Sequence, residues 1–352
     1  MIFTSAILRE VKSVIEAIKD KEKWIQRIQD FANSSLWILT RKEITDHIKS
    51  YRFNILMAII LLTCVGSLYT AFSSIRDVAS NLENNQSLFL YLRVFTITGE
   101  NGTLPSFVTF ISFLGPLLGI SLGFDAVNSE RNKNTLLRIM SQPIPRDYII
   151  LSKFLGSLAV IAGFIFSLGL LVIGIGILSM GIPPTFGEVV RILTYLIMII
   201  IYIGFWLSLS ILFSIRFKQA ATSALAGISI WLFFSIFYSI IVNLIVNASV
   251  PDQLFQGAAS AGAQAESQQL LTTLMRFSPN YLFSEITTIL LIPSFRTLGP
   301  ISMEQLAGSV SAPLGLGQSL TIIWPQVIGI LSAGMICFAI AYFIFLFQEI
   351  RS

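Results

Sequence analysis

Charge, histidine and cysteine are all scarce in this 352-residue chain, which has one His, two Cys and only 12% Asp, Glu, Lys and Arg. A soluble domain carries nearer one quarter charged residues, so the polar surface that a water-soluble fold needs is missing. Cys64 and Cys337 both lie in apolar runs; two such residues exclude a disulfide framework and read as small core or lipid-facing side chains. His47 stands outside every apolar run, which removes most metal-site and proton-relay chemistry. Paired carboxylates inside the apolar runs, a Gly-x-Ser-x-Gly or His-Glu-x-x-His motif and a Gly-x4-Gly-Lys-Ser/Thr loop are absent too. Neither a catalytic centre nor a P-loop ATP site is therefore expected, and the chain itself should bind no metal and no cofactor.

Apolar sequence is what the chain has in quantity. Hydrophobic residues make up 54% and mean hydropathy is +0.78. A membrane span needs about 20 predominantly apolar residues. Six such runs occur, at about 53–72, 106–124, 155–180, 189–215, 221–246 and 322–347. None has a charge near its middle; Arg191 and Glu349 stand at edges. The expected fold class is an all-α integral membrane protein with six transmembrane helices. Residues 1–52 mix charge and apolar residues with no short apolar core and cleavage site, so the run from Phe53 is expected to act as an uncleaved signal anchor.

Lys and Arg set the orientation, because cytoplasmic loops carry the excess. Under six spans, 18 of the 23 fall on the side of the N-terminus and five on the other. Both termini are thus expected in the cytoplasm, with the protein a multi-pass resident of the cell (plasma) membrane. The net charge of +4 follows from this asymmetry and gives no reason to expect nucleic acid as a partner.

Ahead of the first span, Ile7, Val11, Val14, Ile18, Ile25 and Ile28 recur at helical steps, which suits a cytoplasmic amphipathic helix over 1–35. Asn33, Ser34 and Ser35 offer a break and a helix N-cap. A second amphipathic stretch over 36–52 puts Trp37, Ile44, Ile48 and Tyr51 on one face with Arg41, Lys42 and Lys49 nearby. An apolar stripe flanked by basic residues suits a helix lying in the membrane interface, with lipid as its partner; packing against the cytoplasmic ends of the spans is the compatible alternative.

Two connections face outward. The first covers 73–105. The second is a long external loop over 247–321, in which 256–269 reads as a small, polar, flexible linker. Within it, 281–292 is apolar but too short to span and is bracketed by Pro279 and Pro293. A short re-entrant helix before the sixth span fits that pattern. In the second span Gly115, Gly119 and Gly123 recur every four residues, leaving a smooth strip for close helix approach. That strip serves either packing within one subunit or a dimer seam or moving gate; Pro116 adds a bend.

Span interiors without ionisable groups leave any pathway lined by Phe, Leu, Ile, Ser, Thr, Tyr and Gly, which leans toward a bulky or amphiphilic passenger. A secondary transporter would call for mid-membrane charge or an inverted repeat, and an intramembrane enzyme for polar groups inside the bilayer. Neither is visible. A membrane scaffold that transports nothing is the further alternative.

The cytoplasmic loop over 125–153 is the most informative segment. Asn134 or Thr135 can cap a short helix, Leu136, Leu137, Arg138, Ile139 and Met140 supply an apolar face, and Pro143 ends it. Such a helix between two spans is either a knob for another protein or a solvated loop with local packing.

At this loop the sequence resembles the permease subunits of ABC type-2 exporters. Their pattern is matched by Phe124, Asp125, Glu130, Arg131, Thr135, Leu136, Ser141, Pro143, Arg146 and Lys153, with Asn134 where the family usually has Gly. The resemblance extends from about Trp37 to the C-terminus and makes 53–352 a six-span permease domain. It implies an ATP-driven exporter in which two permease chains, identical or related, each dock on a separate cytoplasmic ABC ATPase subunit. ATP and Mg would be used by that partner. The coupling helix at Thr135–Met140 and the pre-span helix around Trp37, Arg41, Lys42, Ile44, Ile48 and Tyr51 would sit on the ATPase. Glu130 and Arg131 would tie the loop to its neighbours by ion pairing. Substrate would leave between the permeases along the second and fifth spans.

Overall fold

The computed structural model describes residues 34–79, 90–96, 105–132, 135, 141, 144–181, 183–249, 259–292 and 314–347. The expected helix over 1–31 and most of the expected coupling helix (136–140, with Pro143) lie outside the described residues. Everything described is helix, turn or connection, and six helices are long and apolar enough to cross a membrane.

Ser34 caps the first helix, α1 (Ser35–Lys49), its hydroxyl accepting from the Trp37 amide at 3.3 Å. The helix stops at Ser50, whose backbone is extended. Tyr51 therefore belongs to α2 (Tyr51–Ala79), which carries the first span, rather than to the pre-span helix. A short helix, α3 (Leu90–Thr96), follows inside the connection between the first two spans. The second span is α4 (Phe107–Gly123), capped by Ser106 and containing Pro116. A turn leads to α5 (Asn128–Asn132), and then come α6 (Arg146–Met180) and α7 (Phe186–Arg216). A Thr185–Glu188 capping box opens α7, satisfying two of the free amides that every helix start presents.

The fifth span is not one uniform helix. It runs as α8 (Ala220–Leu232), a π-helical turn (Phe233–Phe237) and α9 (Tyr238–Ser249). After it, α10 (Ala259–Met275) occupies much of the stretch that reads as a flexible linker. The correction has a physical cause: Ala, Gln, Glu and Leu dominate that stretch, and all are good helix formers. Pro279 opens α11 (Pro279–Leu291), the short helix expected before the last span. The last span is α12, which begins at Leu316 rather than 322 and runs to Phe347.

Helix α7 is the axis of the bundle and the most buried of the six spans. The glycine strip of α4 lies against it: a Cβ on Gly119 would stand 2.8 Å from the Ile203 carbonyl oxygen, and one on Gly123 2.8 Å from Ser210 Cβ. Gly115 faces Ile203 as well. The strip is thus occupied by the chain's own fourth span and is not open to a second copy. Aromatic rings fill the end of the bundle remote from α1, with Phe95 edge-on to Phe107 (5.1 Å between centroids) and Tyr202 stacked on Phe283 (4.2 Å).

Candidate docking site at the base of the bundle

Helix α1 lies across the start of α6, and Gly156 permits the approach, since a Cβ there would stand 2.7 Å from Glu43 Cβ. The face turned inward holds Thr40, Glu43, Ile44 and His47, the 40–43–47 and 40–44–47 spacings of one helix face. Thr40 and Glu43 are buried, whereas Trp37, Ile38 and Ile48 are exposed, Tyr51 beyond the helix end more so. The expected apolar face is therefore split: Ile44 packs inward and the rest point away from the bundle. The outward face is mixed, because Arg41, Lys42, Thr45, Asp46 and Lys49 are exposed beside Trp37, Ile38 and Ile48.

Glu43 meets Lys153 of α6, the two heavy atoms 3.1 Å apart. Lys153 also reaches Glu130 of α5 at 2.9 Å. From outside, Lys42 bridges the same two carboxylates at 3.2 and 3.3 Å and reaches Asp46 at 3.5 Å. Lys153 is only 3% exposed. Two carboxylates and two ammonium groups thus join three separate pieces of chain: the pre-span helix, the loop and the third span. Burial alone would raise the Glu43 pKa, yet Lys153 and then Lys42 hold it below the ordinary carboxylate range. Burial opposes the charge on Lys42, but Glu43 and Glu130 together raise its pKa.

Around this cluster the loop is pinned at further points. Arg52, at the start of the first span, pairs with Asp125 at 3.0 Å, and its guanidinium lies over the Phe124 ring, 5.5 Å from the centroid. The amides of Val127 and Asn128 donate to the Ser214 hydroxyl on α7. Thr135 donates to the Glu130 carbonyl. His47 lies 2.9 Å from the Ser157 hydroxyl. Burial lowers the His47 pKa, Lys153 adds to the shift, and Glu43, Asp125 and Asp46 oppose it.

Of the residues singled out by the loop pattern, Phe124, Asp125, Glu130 and Lys153 come together here. Arg131 is half-buried and makes no ion pair among the described residues, so the tie expected of Glu130 and Arg131 is carried by Glu130 alone. Arg146 is exposed at the first turn of α6, and Thr135 is exposed. Arg41 and Lys49 are exposed on α1. Sequence reasoning missed Glu43, His47, Arg52 and Ser157. The 40–43–47 spacing was the available signal, but it reads as a solvated face until α6 is placed against it.

A second polar set lies in the remote half of the bundle. Tyr202 donates to Asn280 (2.6 Å) and to the Ser112 carbonyl (3.1 Å), and Asn280 in turn donates to Ser235 (2.6 Å) inside the π-helical turn. Arg191, read from the sequence as an edge, is buried and donates to the Leu290 and Leu314 carbonyls and the Ser319 hydroxyl. It ties the end of α11 to the start of α12. Glu285 of α11 is held by Arg276 and by Gln326. Among the described residues no group of His, Cys, Asp and Glu is arranged to hold a metal ion.

The ion pairs fasten the loop and the pre-span helix to the bundle, in a chain whose family sequence comparison shows. The model of the ABC-2 family transporter proteins matches residues 37–350. This chain belongs to the ABC-2 transporter family. It is similar to the probable ABC transporter permease protein NosY of Pseudomonas aeruginosa, 23% identical over 205 residues, which is 56% of this chain and 66% of that protein. It is similar also to the probable ABC transporter permease protein NosY of Stutzerimonas stutzeri, 29% identical over 136 residues, 37% of this chain and 43% of that protein. Both matches span less than two thirds of the relative's own length. Six apolar helices and the family together make the chain a multi-pass membrane protein.

Proposed function

We propose that this chain is the permease subunit of an ATP-driven exporter, paired with a second permease chain and docked on a cytoplasmic ATPase subunit that binds ATP and Mg. The observation that carries the reading is the buried Lys153, which is bonded at once to Glu43 of the pre-span helix and Glu130 of the loop. Lys153 thus fastens both the loop and α1 to the third span, beside the direct packing of α1 on α6 at Gly156 and the His47–Ser157 contact. The permease thus receives the closure of the ATPase pair as movement of its spans and needs no catalytic group of its own. The distribution of Lys and Arg supports a cytoplasmic position for this end and for both termini. Substrate passes between the two permeases along the second and fifth spans, and the charge-free span interiors favour an amphiphilic passenger.

The test is ATP hydrolysis in proteoliposomes holding the permease and its ATPase. Leu136→Asp with Ile139→Asp is expected to abolish permease-dependent ATPase activity while leaving the permease folded. Hydrolysis indifferent to the permease, or to these substitutions, would overturn the reading and return the chain to a secondary transporter or a scaffold.

A further inference from the structure

The fifth span takes part in two separate packed groups, and the change from one to the other falls at its π-helical turn. Helix α8 packs on the main bundle. A Cβ on Gly227 would stand 3.2 Å from the Ile120 side chain, and Trp231 meets Phe113 edge-on at 4.7 Å between centroids. Trp231 belongs to the main apolar core. Beyond the turn, Val242 and Val246 of α9 pack instead with Leu271, Leu274 and Met275 of α10, in a second cluster with Tyr281 of α11 at its margin. Between the two groups the Tyr238 amide donates to the Phe233 carbonyl, five residues back. A π-helical turn of this kind is a place where a long helix bends.

The α9–α10 pair is pinned at its foot. Tyr238 donates to the Leu274 carbonyl at 2.7 Å, which sets the end of α10 level with the start of α9. Arg276, just past α10, pairs with the buried Glu285 at 3.3 Å, and Gln326 of α12 donates to the same carboxylate at 3.1 Å. The chain therefore enters and leaves this pair at one level, through the π-helical turn and through the short turn at 276–278. One hydrogen bond reaches from the bundle into the π-helical turn. Asn280 donates to Ser235 at 2.6 Å and is itself held by Tyr202 at 2.6 Å.

We propose that α9 and α10 form a lever that swings as one piece about Phe233–Phe237 and the turn at 276–278, with Asn280 as its latch. Hinges are a few residues at the ends of elements, joining bodies that each keep their own packing. The swing displaces the end of the fifth span remote from α1 while α8 stays on the bundle. Its use as an exit gate rests on the permease reading; the swing itself needs only the chain in a bilayer, so the two fail separately.

The experiment measures spin–spin distances in the full chain, carrying Cys64→Ala and Cys337→Ala, in lipid vesicles with unlabelled chain in excess. One pair of labels, on Asn247→Cys and Trp324→Cys, runs from the tip of α9 to the last span. The other, on Asn247→Cys and Thr273→Cys, lies within the lever. All three positions are exposed. The ten residues from Phe237 to Asn247 make an arm of about 15 Å, whose tip a bend of about 20° displaces by roughly 5 Å. Asn280→Leu is expected to shift or broaden the 247–324 distance by about that much and to leave the 247–273 distance as it was. Ser235→Ala, which cuts the latch from the other side, should act in the same way and add nothing to Asn280→Leu. A 247–324 distance unchanged in either variant, or additive effects of the two, would overturn the proposal. So would a change in the 247–273 distance, because α9 and α10 would then not move together.

Discussion

Lys153 and Glu130 stand 2.9 Å apart with Lys153 almost fully buried, and the same ammonium holds Glu43 at 3.1 Å. Removing one member of a buried ion pair leaves the other desolvated and unpaired, a change that costs about 3–5 kcal/mol. Lys153→Met is therefore expected to lower the melting temperature in detergent sharply. Lys42 touches the same carboxylates, but its side chain is 46% exposed, so Lys42→Ala should cost only about 0–1 kcal/mol. Equal effects of the two substitutions would show that burial does not set the strength of the cluster.

Stability should fall with pH in two separate windows. The folded state holds the His47 pKa down, chiefly by burial, while the unfolded chain takes up its proton near the ordinary value of about 6.5. Below that value the unfolded state binds more protons, so stability declines as pH falls. The Glu43 pKa is also held down in the folded state, against burial, by Lys153 and Lys42. Its contribution is present above the ordinary Glu value and is lost as pH falls through the lower folded one. A melting series from neutral to mildly acidic pH should show a smaller decline for His47→Gln than for the unmodified chain, and identical slopes would count against a neutral, buried His47.

Close packing by glycine can be tested at two positions. Gly119→Ala would place its methyl 2.8 Å from the backbone oxygen of Ile203, which cannot swing aside, and overpacking of this kind costs about 1–3 kcal/mol. Gly163 has nothing within 4 Å of an added Cβ, so Gly163→Ala should leave the melting temperature where it is or raise it slightly. Comparison of the monodisperse fraction after heating decides between these outcomes.

Asn280 joins the start of α11 to the π-helical turn of the fifth span. Asn280→Leu removes the bond to Ser235 and the acceptor for Tyr202, and buried hydrogen bonds between membrane helices contribute about 0.6 kcal/mol each, up to about 1.7. Faster amide exchange confined to 228–245, with α1 unchanged, is the expected pattern. Unchanged exchange in the fifth span would show that the π-turn holds without this clamp.

The six spans and the short helix before the last were legible because each is a local property: a run of apolar residues of the right length, or one bracketed by Pro279 and Pro293. The loop pattern pointed to Glu130 and Lys153, but that they meet on Glu43 depends on a pairing of Lys153 with a residue 110 positions earlier in sequence. Glu43 on its own reads as a solvated acid on a charged helix. Arg191 looked like an edge marker because its acceptors, the Leu290 and Leu314 carbonyls, leave no trace in side-chain pattern. Residues 256–269 read as a linker because small residues suggest flexibility, although Ala in quantity is the strongest helix former. Nothing in Phe233–Phe237 distinguishes a π-turn from the α-helix on either side.

Co-purification tests the central claim most directly. Tagged chain is isolated from its own cells in mild detergent, and the accompanying proteins are identified and quantified by mass spectrometry. The account predicts a soluble subunit with a P-loop in stoichiometric amount, lost when Leu136 and Ile139 become Asp. A folded permease that brings down no such ATPase in any of several detergents would contradict it.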